Sequence, residues 1–244
     1  MEIHAVKLSF DNILTMQEHL LIYLPSNKRD KIKKYHHPED GLRSLVADLL
    51  SRLVLCKLIG ITNTEFTLKL TTNANGKPYL QAAPCHYNLS HSGEWVVLIV
   101  DEMPVGIDIE QIRSIDMEIA KRFFSSAEYD KISAMPSNQQ LAFFYSMWTL
   151  KEAIIKADGR GLSIPLDSFS ILIENDRIHL DRGSSSIQPS FLRQYDIDST
   201  YSLSVCAMRN NFPLEVNIWN LESFATATKN SLDALTSNYS KRKI

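Results

Sequence analysis

The chain reads as an α+β protein of two similar lobes that meet at a cleft. Three observations carry that expectation. Apolar residues at helical spacing form two long stretches, around residues 38–59 and 139–157. Short segments of strand type follow each of them. Each stretch also ends at a glycine, Gly60 in the first case and Gly159 in the second. No strong internal repeat accompanies this order, so the duplication rests on the succession of elements alone.

Residues 1–10 alternate as a strand does, with Ile3, Ala5 and Leu8 apolar. Ser26 is placed to cap a short basic helix, NKRDKIKKY. From Pro38 to Ile59, the leucines and valines at 42, 45, 46, 49, 50, 53 and 54 define a helix, and Pro38 suits its first turn. Phe66, Leu68 and Leu70 alternate with polar residues and predict a strand; Asn75-Gly76 is a turn signal. Strands follow at His86–Leu89, Trp95–Val100 and Val105–Glu110, the last after a turn at Glu102–Pro104. Residues 116–158 are mainly helical, broken near Pro136. FSILI, RIHL, YSLSVCAM and LEVNIWNL then read as strands, and the polar tail from Ala225 is expected to be frayed. The expected divisions are an N-terminal lobe 1–104, a C-terminal lobe 105–224 and a tail 225–244.

Bulk properties narrow the function. With 244 residues, 44% of them hydrophobic, the chain can bury a core without disulfide staples. A net charge of -2 argues against general nucleic-acid binding, so any anion site must be a local cluster. Cys56, Cys85 and Cys206 form no CxxC pair, which suits free thiols in a reducing compartment better than a zinc site or a disulfide framework. The longest apolar run, Trp95 to Val100, is too short to span a bilayer, and no signal peptide is evident. A soluble cytoplasmic protein with no membrane partner is expected.

Asp108 and Glu110 stand two apart on a predicted strand and share a face, while Ile107 and Ile109 take the other. Carboxylates held side by side repel unless a cation or protons intervene. A divalent metal or a plain exposed acidic face both satisfy the pattern. Trp148, Glu152 and Lys156 follow one another at i, i+4 and i+8 and line one face of a helix. Glu152 and Lys156 fit a surface ion pair; alternatively Glu152 joins Asp108 and Glu110 on one Mg²⁺, leaving room for phosphate oxygens and water, with Lys151 and Lys156 facing those phosphates. Residues 28–34 are a positive cluster, either a solvated face or a grip in which Lys28 and Lys31 hold one phosphate and Arg43 joins them. Gly76-Lys77-Pro78 is a turn bearing a lysine. Ser90-His91-Ser92 lacks a nucleophile elbow, and neighbours on a strand point apart, so phosphate donors fit better than a hydrolase pair.

The ordered set resembles the phosphopantetheinyl transferases, and within them the large Sfp type that serves nonribosomal peptide and polyketide synthases. The resemblance runs through YHHPEDGLR (35–43), GKP (76–78), NLSHSGEWV (88–96), VGIDIE (105–110), RFFSSAEY (122–129), FFYSMWTLKEAIIKADGRGL (143–162), SIPLDSFSI (163–171) and SVCAM (204–208). Where that family often carries an aromatic residue before the histidine, this chain has His36-His37. The resemblance implies a pseudo-twofold monomer with coenzyme A in the cleft. Asp108, Glu110 and Glu152 would hold Mg²⁺ with the pyrophosphate, and Lys156 would contact the phosphates. Lys28, Lys31, Arg43, Lys77, Ser90 and His91 would surround the 3′-phosphate and adenosine end, with Gly76 and Pro78 framing Lys77.

It further implies that the serine of an apo peptidyl or acyl carrier protein attacks the β-phosphorus, with adenosine 3′,5′-bisphosphate as leaving group. Glu152, directly or through a water on the ion, is the candidate base. The segment Ile112 to Phe124, with Met117, Lys121, Arg122 and Phe123, is the expected docking surface for an acidic carrier helix. A nonenzymatic coenzyme A-binding protein on the same lobes would not need all three carboxylates. An ATP-using phosphotransferase would show a P-loop, yet Gly159 and Gly161 follow a helix instead of opening one. The small trimeric acyl-carrier type would have about half the length.

Overall fold

Two halves, each a sheet with a helical layer on its outer face, share one apolar seam. The computed structural model describes residues 1–174, 177–183, 185–188 and 190–235. Strand β1 (Glu2–Lys7) is followed by helices α1 (Ile13–Leu21), α2 (Ser26–Ile32), α3 (Pro38–Ile59) and α4 (Asn63–Lys69), then by β2 (Leu70–Thr72), β3 (Pro78–Leu80), β4 (His86–Ser92), β5 (Trp95–Asp101) and β6 (Val105–Gln111). Helices α5 (Glu118–Phe123), α6 (Ser126–Ser133) and α7 (Ser137–Asp158) come next. Strands β7 (Ser170–Glu174), β8 (Arg177–Asp181), β9 (Phe191–Tyr195), β10 (Tyr201–Ala207) and β11 (Asn217–Asn220) lead to α8 (Leu221–Ser231).

Among the described residues the two larger sheets have the orders β11-β1-β5-β4 and β6-β10-β9, and β2-β3 and β7-β8 form two-stranded sheets. Both β6 and β9 pair antiparallel with β10, as β1 and β4 do with β5. The inner faces pack on each other through Ile3, Ala5, Val97 and Ile99 on one side and Val105, Ile107, Ile109, Leu203 and Val205 on the other. The outer face of the first sheet is covered by α3, and that of the second by α7. These two helices have 22 residues each and stop at left-handed glycines, Gly60 and Gly159, a conformation that L side chains adopt only with strain. The arrangement is α+β, as the alternation of helical and strand-type segments predicts. Cys56 and Cys206 are buried free thiols, while Cys85 is half-buried. Among the described residues no helix is long and apolar enough to cross a membrane.

Four local expectations are corrected. The Phe66–Leu70 alternation does not make a strand. Thr62 and Glu65 form a capping box, in which the Thr62 hydroxyl accepts from Glu65 N and the Glu65 carboxylate accepts from Thr62 N at 2.8 Å, and that nucleates α4. Phe66 is then buried and Leu68 faces solvent. Ser26 is not a cap; α2 begins at Ser26 after Pro25, with no side-chain cap bond. FLRQY was not anticipated as a strand, yet it forms β9 along β10.

The frayed tail is the fourth correction. It is helical to Ser231, opened by Asn220 accepting from Ser223 N at 2.8 Å. Leu221, Phe224, Thr228 and Leu232 recur at helical spacing and are buried, a stripe that the polar composition hides. Residues 236–244 lie outside the described residues. With β11 pairing parallel to β1, this end of the chain packs on the first sheet.

Candidate active site

The edge of each sheet nearest the other, β4 and β6, carries the polar groups. On β6, Ile107 and Ile109 point into the seam, which turns Asp108 and Glu110 to the opposite face. On β4, Asn88, Ser90 and Ser92 alternate in the same way and reach across to β6. The Asn88 side-chain carbonyl accepts from Ile107 N at 2.9 Å, Ser90 Oγ donates to Asp108 Oδ1 at 2.8 Å, and Ser92 Oγ donates to Glu110 Oε2 at 2.7 Å. Gln111 N donates to Ser92 Oγ at 3.1 Å. Side chains thus satisfy an edge that a strand would otherwise pair.

Helix α7 supplies the third wall. Gly106 lets it lie directly on β6: a methyl group there would meet the Ala153 carbonyl oxygen and come within 2.5 Å of Ala157 N. Thr149 Oγ1 is shared with Ser202 at 2.9 Å and Ser204 at 2.7 Å on β10, which holds the helix behind the two carboxylates. Trp148, Glu152 and Lys156 then line a cleft of about 520 Å³ together with Ala47, Ser90, His91, Asp108 and Glu110. Trp148 stacks on Phe144 at 5.7 Å between ring centres and takes Phe123 edge-on at 5.6 Å.

The electrostatics of the cleft are those of unfinished neutralisation. Asp108 is 2% exposed. Its Oδ1 receives the Lys156 ammonium at 2.6 Å, while Oδ2 is buried without a hydrogen-bond partner. Burial raises its pKa against the opposing pull of Lys156. Glu110 and Glu152 are also pushed above the ordinary carboxylate range, first by burial; Asp108 adds repulsion to both. Among the described residues no three acidic, histidine or cysteine side chains already close on one point. An orphaned buried oxygen and two more carboxylates facing one cleft nevertheless fit a hard divalent cation, which takes oxygen ligands. His91 sits at the lip with its edge exposed; surrounding protein lowers its pKa, and the nearby Arg43 and Lys156 add to that.

The other predicted residues divide by position. Arg43 and Ala47 are one turn apart on α3; Arg43 donates to Gly93 O at 2.8 Å and to Asp40 at 2.6 Å, beside His91. Lys28 pairs with Asp48 of α3, and Lys31 is exposed on α2. Gly76 makes the β2–β3 turn with φ of 83°, and Pro78 opens β3. Lys77 is half-buried and donates to the Lys156 carbonyl near the end of α7 and to Val105 O at the start of β6 at 3.3 Å.

Lys151 is a correction. It does not face the cleft: adjacent helix residues lie 100° apart, and the face that presents Glu152 turns Lys151 inward. Its fully buried ammonium pairs with Glu128 at 2.8 Å and donates to Leu166 O at 2.8 Å and Phe169 O at 2.7 Å. The sequence reading missed Glu128, whose second oxygen accepts from Ile171 N at 2.8 Å, and missed the bridging roles of Asn88 and Ser92. The period-two polar pattern Asn88-x-Ser90-x-Ser92 was the available signal for the latter.

Comparison with known proteins identifies the family. A family model described as 4′-phosphopantetheinyl transferase, N-terminal, matches residues 14–103, and one for the 4′-phosphopantetheinyl transferase superfamily matches residues 104–206. The chain is 36% identical over 206 residues to the 4′-phosphopantetheinyl transferase Sfp of Bacillus subtilis (strain 168), covering 84% of this chain and 91% of that one. Another 4′-phosphopantetheinyl transferase of Bacillus subtilis is 40% identical over 200 residues, 80% of this chain and 87% of its own. The protein gsp of Aneurinibacillus migulanus, of the same description, is 34% identical over 197 residues, with coverages of 79% and 81%. Identity at this level over most of both chains, with family models matching residues 14–103 and 104–206, means that the chain belongs to the 4′-phosphopantetheinyl transferase family.

Proposed function

We propose that this protein transfers the 4′-phosphopantetheine of coenzyme A to a serine of apo peptidyl or acyl carrier proteins, releasing adenosine 3′,5′-bisphosphate. The observation that carries the reading is the cleft in which Asp108, Glu110, Glu152 and Lys156 converge between the two sheets. Asp108, Glu110 and Glu152 would hold Mg²⁺, which supplies charge neutralisation at the pyrophosphate when bound.

The residues perform the rest. The carrier serine oxygen bonds to the β-phosphorus and the bond to the bridging oxygen breaks, leaving negative charge on the bisphosphate. The Lys156 ammonium, already held at Asp108, lies where it can balance that charge. Glu152, through a carboxylate oxygen that the ion does not take, is the candidate base for the serine proton. Arg43, Lys28, Lys31, Ser90 and His91 bind the 3′-phosphate end of coenzyme A, supported by the position of Arg43 and Ala47 on α3 across the cleft from α7. The carrier docks on Ile112 to Phe124, where Ile119, Lys121 and Arg122 are exposed beside the half-buried Phe123. An apolar and basic surface suits an acidic helix. The same reading takes lobes 1–104 and 105–224 in a cytoplasmic monomer acting in nonribosomal peptide synthesis; the junction of the two family matches between residues 103 and 104 supports that division.

The test is intact-mass spectrometry of an apo peptidyl carrier protein incubated with the protein, coenzyme A and Mg²⁺. A gain of one phosphopantetheine, abolished by EDTA and by Asp108→Ala, is expected. No gain on several apo carriers, with coenzyme A still bound, would leave a nonenzymatic coenzyme A-binding protein. Normal turnover by a metal-retaining Glu152→Gln variant would remove Glu152 as the base.

A further inference from the structure

We propose that Asn63 is a positioning residue: together with residues 232–235 it braces the basic helix α2 and so places Lys28 and Lys31 for the 3′-phosphate of coenzyme A. The inference rests on the coenzyme A site of the reading above and deepens it by naming what holds those two lysines. Helix α2 needs outside support. It has seven residues, starts without a side-chain cap bond, and Ile32 is its one buried residue. A helix this short is marginal on its own, and a single buried side chain is little to fix it against α3.

The support is applied to the turn that leads into α2. Asn63, 1% exposed at the start of α4, donates through Nδ2 to Tyr23 O at 2.9 Å and to Asp233 O at 2.8 Å. Leu235 N donates to Ile22 O at 2.8 Å. Arg29, which lies between the two lysines in sequence, donates to Leu24 O at 2.6 Å, to Ile22 O at 3.0 Å and to Leu235 O. Leu232 and Leu235 are buried, which seats the segment that follows α8. The carbonyls of Ile22, Tyr23 and Leu24 are therefore held by donors from α2, α4 and that segment.

The same asparagine reaches Lys28 by a second route. Its Oδ1 accepts from Arg52 Nη1 at 2.6 Å. Arg52 Nε donates to Asp48 Oδ1 at 2.6 Å, and Asp48 Oδ2 accepts from the Lys28 ammonium. The Lys28 side chain stays 32% exposed in this pair, and an ammonium has three protons, so it is held at the surface with donors to spare for an anion. Asn63 thus acts on the lysines through the turn between α1 and α2 and through Arg52 and Asp48.

Calorimetric titration with coenzyme A and with 3′-dephospho-coenzyme A, in the presence of Mg²⁺, reads this role without turnover. The variant to use is Asn63→Asp, which keeps an acceptor for Arg52 and loses both donors. Coenzyme A is expected to bind it roughly 3- to 10-fold more weakly, the scale of one or two lost hydrogen bonds, with the affinity for 3′-dephospho-coenzyme A held. With Lys28→Met and Lys31→Met already in place, the same change should have no further effect, because it acts through those two residues. A merely structural role would lower the melting temperature and leave the ratio of the two affinities unchanged. That result, or a further loss once the lysines are replaced, would overturn the proposal. If Asn63→Asp does not fold, Leu235→Ala loosens the same brace and should lower the ratio as well; an unchanged ratio there counts against it. A wild type that prefers coenzyme A but transfers nothing defeats the transferase reading and leaves the brace standing. Equal wild-type affinity for the two ligands defeats the brace and leaves the test of transfer untouched.

Discussion

Lys151 and Glu152 are neighbours with opposite fates, and the difference is one helical step. Glu152 faces the cleft, whereas Lys151 is sealed with Glu128 beneath Phe169. Removing one partner of such a buried pair strands the other charge, so Lys151→Met is expected to cost about 3–5 kcal/mol in urea unfolding. Adding Glu128→Gln should cost less than the sum of the two single changes, because the stranded carboxylate is gone.

The cleft carboxylates make a second prediction at this scale. Their folded pKa values lie above the unfolded ones, so the folded state binds the extra protons and stability falls as pH rises out of the ordinary carboxylate range. A bound cation removes that loss. Mg²⁺ should therefore raise the melting temperature more at about pH 8 than at about pH 5. An equal shift at both values, or none at pH 8, would count against these residues as the ligands.

Among the elements, the decisive contact is that of α7 on β6. Gly106 is required there for close approach, as no side chain fits between the strand and the Ala153–Ala157 backbone. Gly106→Ala should lower stability by at least the about 1–3 kcal/mol typical of overpacking, and should remove transfer activity as Glu152 and Lys156 shift from Asp108. The β4–β6 junction is held by side chains in place of a ladder. Asn88→Ala leaves Ile107 N without an acceptor in a buried setting, at a cost of about 1–3 kcal/mol measurable by denaturant titration. A change within experimental error would mean that the two edges are joined mainly by the apolar seam.

At the scale of the molecule, the chain closes on itself. Strand β11 completes the first sheet beside β1, and Leu221 and Phe224 of α8 enter the core that α3 covers. A chain ending at Val216 would expose that core and the edge of β1. It should lose solubility or unfold at markedly lower urea, although every cleft residue is retained. Wild-type solubility and midpoint in the truncated chain would show that the return segment is dispensable.

The long helices, the β4, β5 and β6 strands and the Asp108–Glu110–Glu152–Lys156 set were all legible in the sequence. Each depends on spacing along one element, and helical and strand periods are local properties. Helix α4 was legible too, through Thr62 and Glu65, but a three-residue alternation obscured it. Other features were decided only by the tertiary structure. The inward turn of Lys151 depends on where Glu128 lies, and the grip of Lys77 on α7 joins residues 79 positions apart. The pairing of β11 with β1 spans nearly the whole chain. A sequence displays which residues carry charge at what interval. Whether a lysine meets a phosphate, a carboxylate or a row of carbonyls depends on packing between distant segments, which no local period encodes.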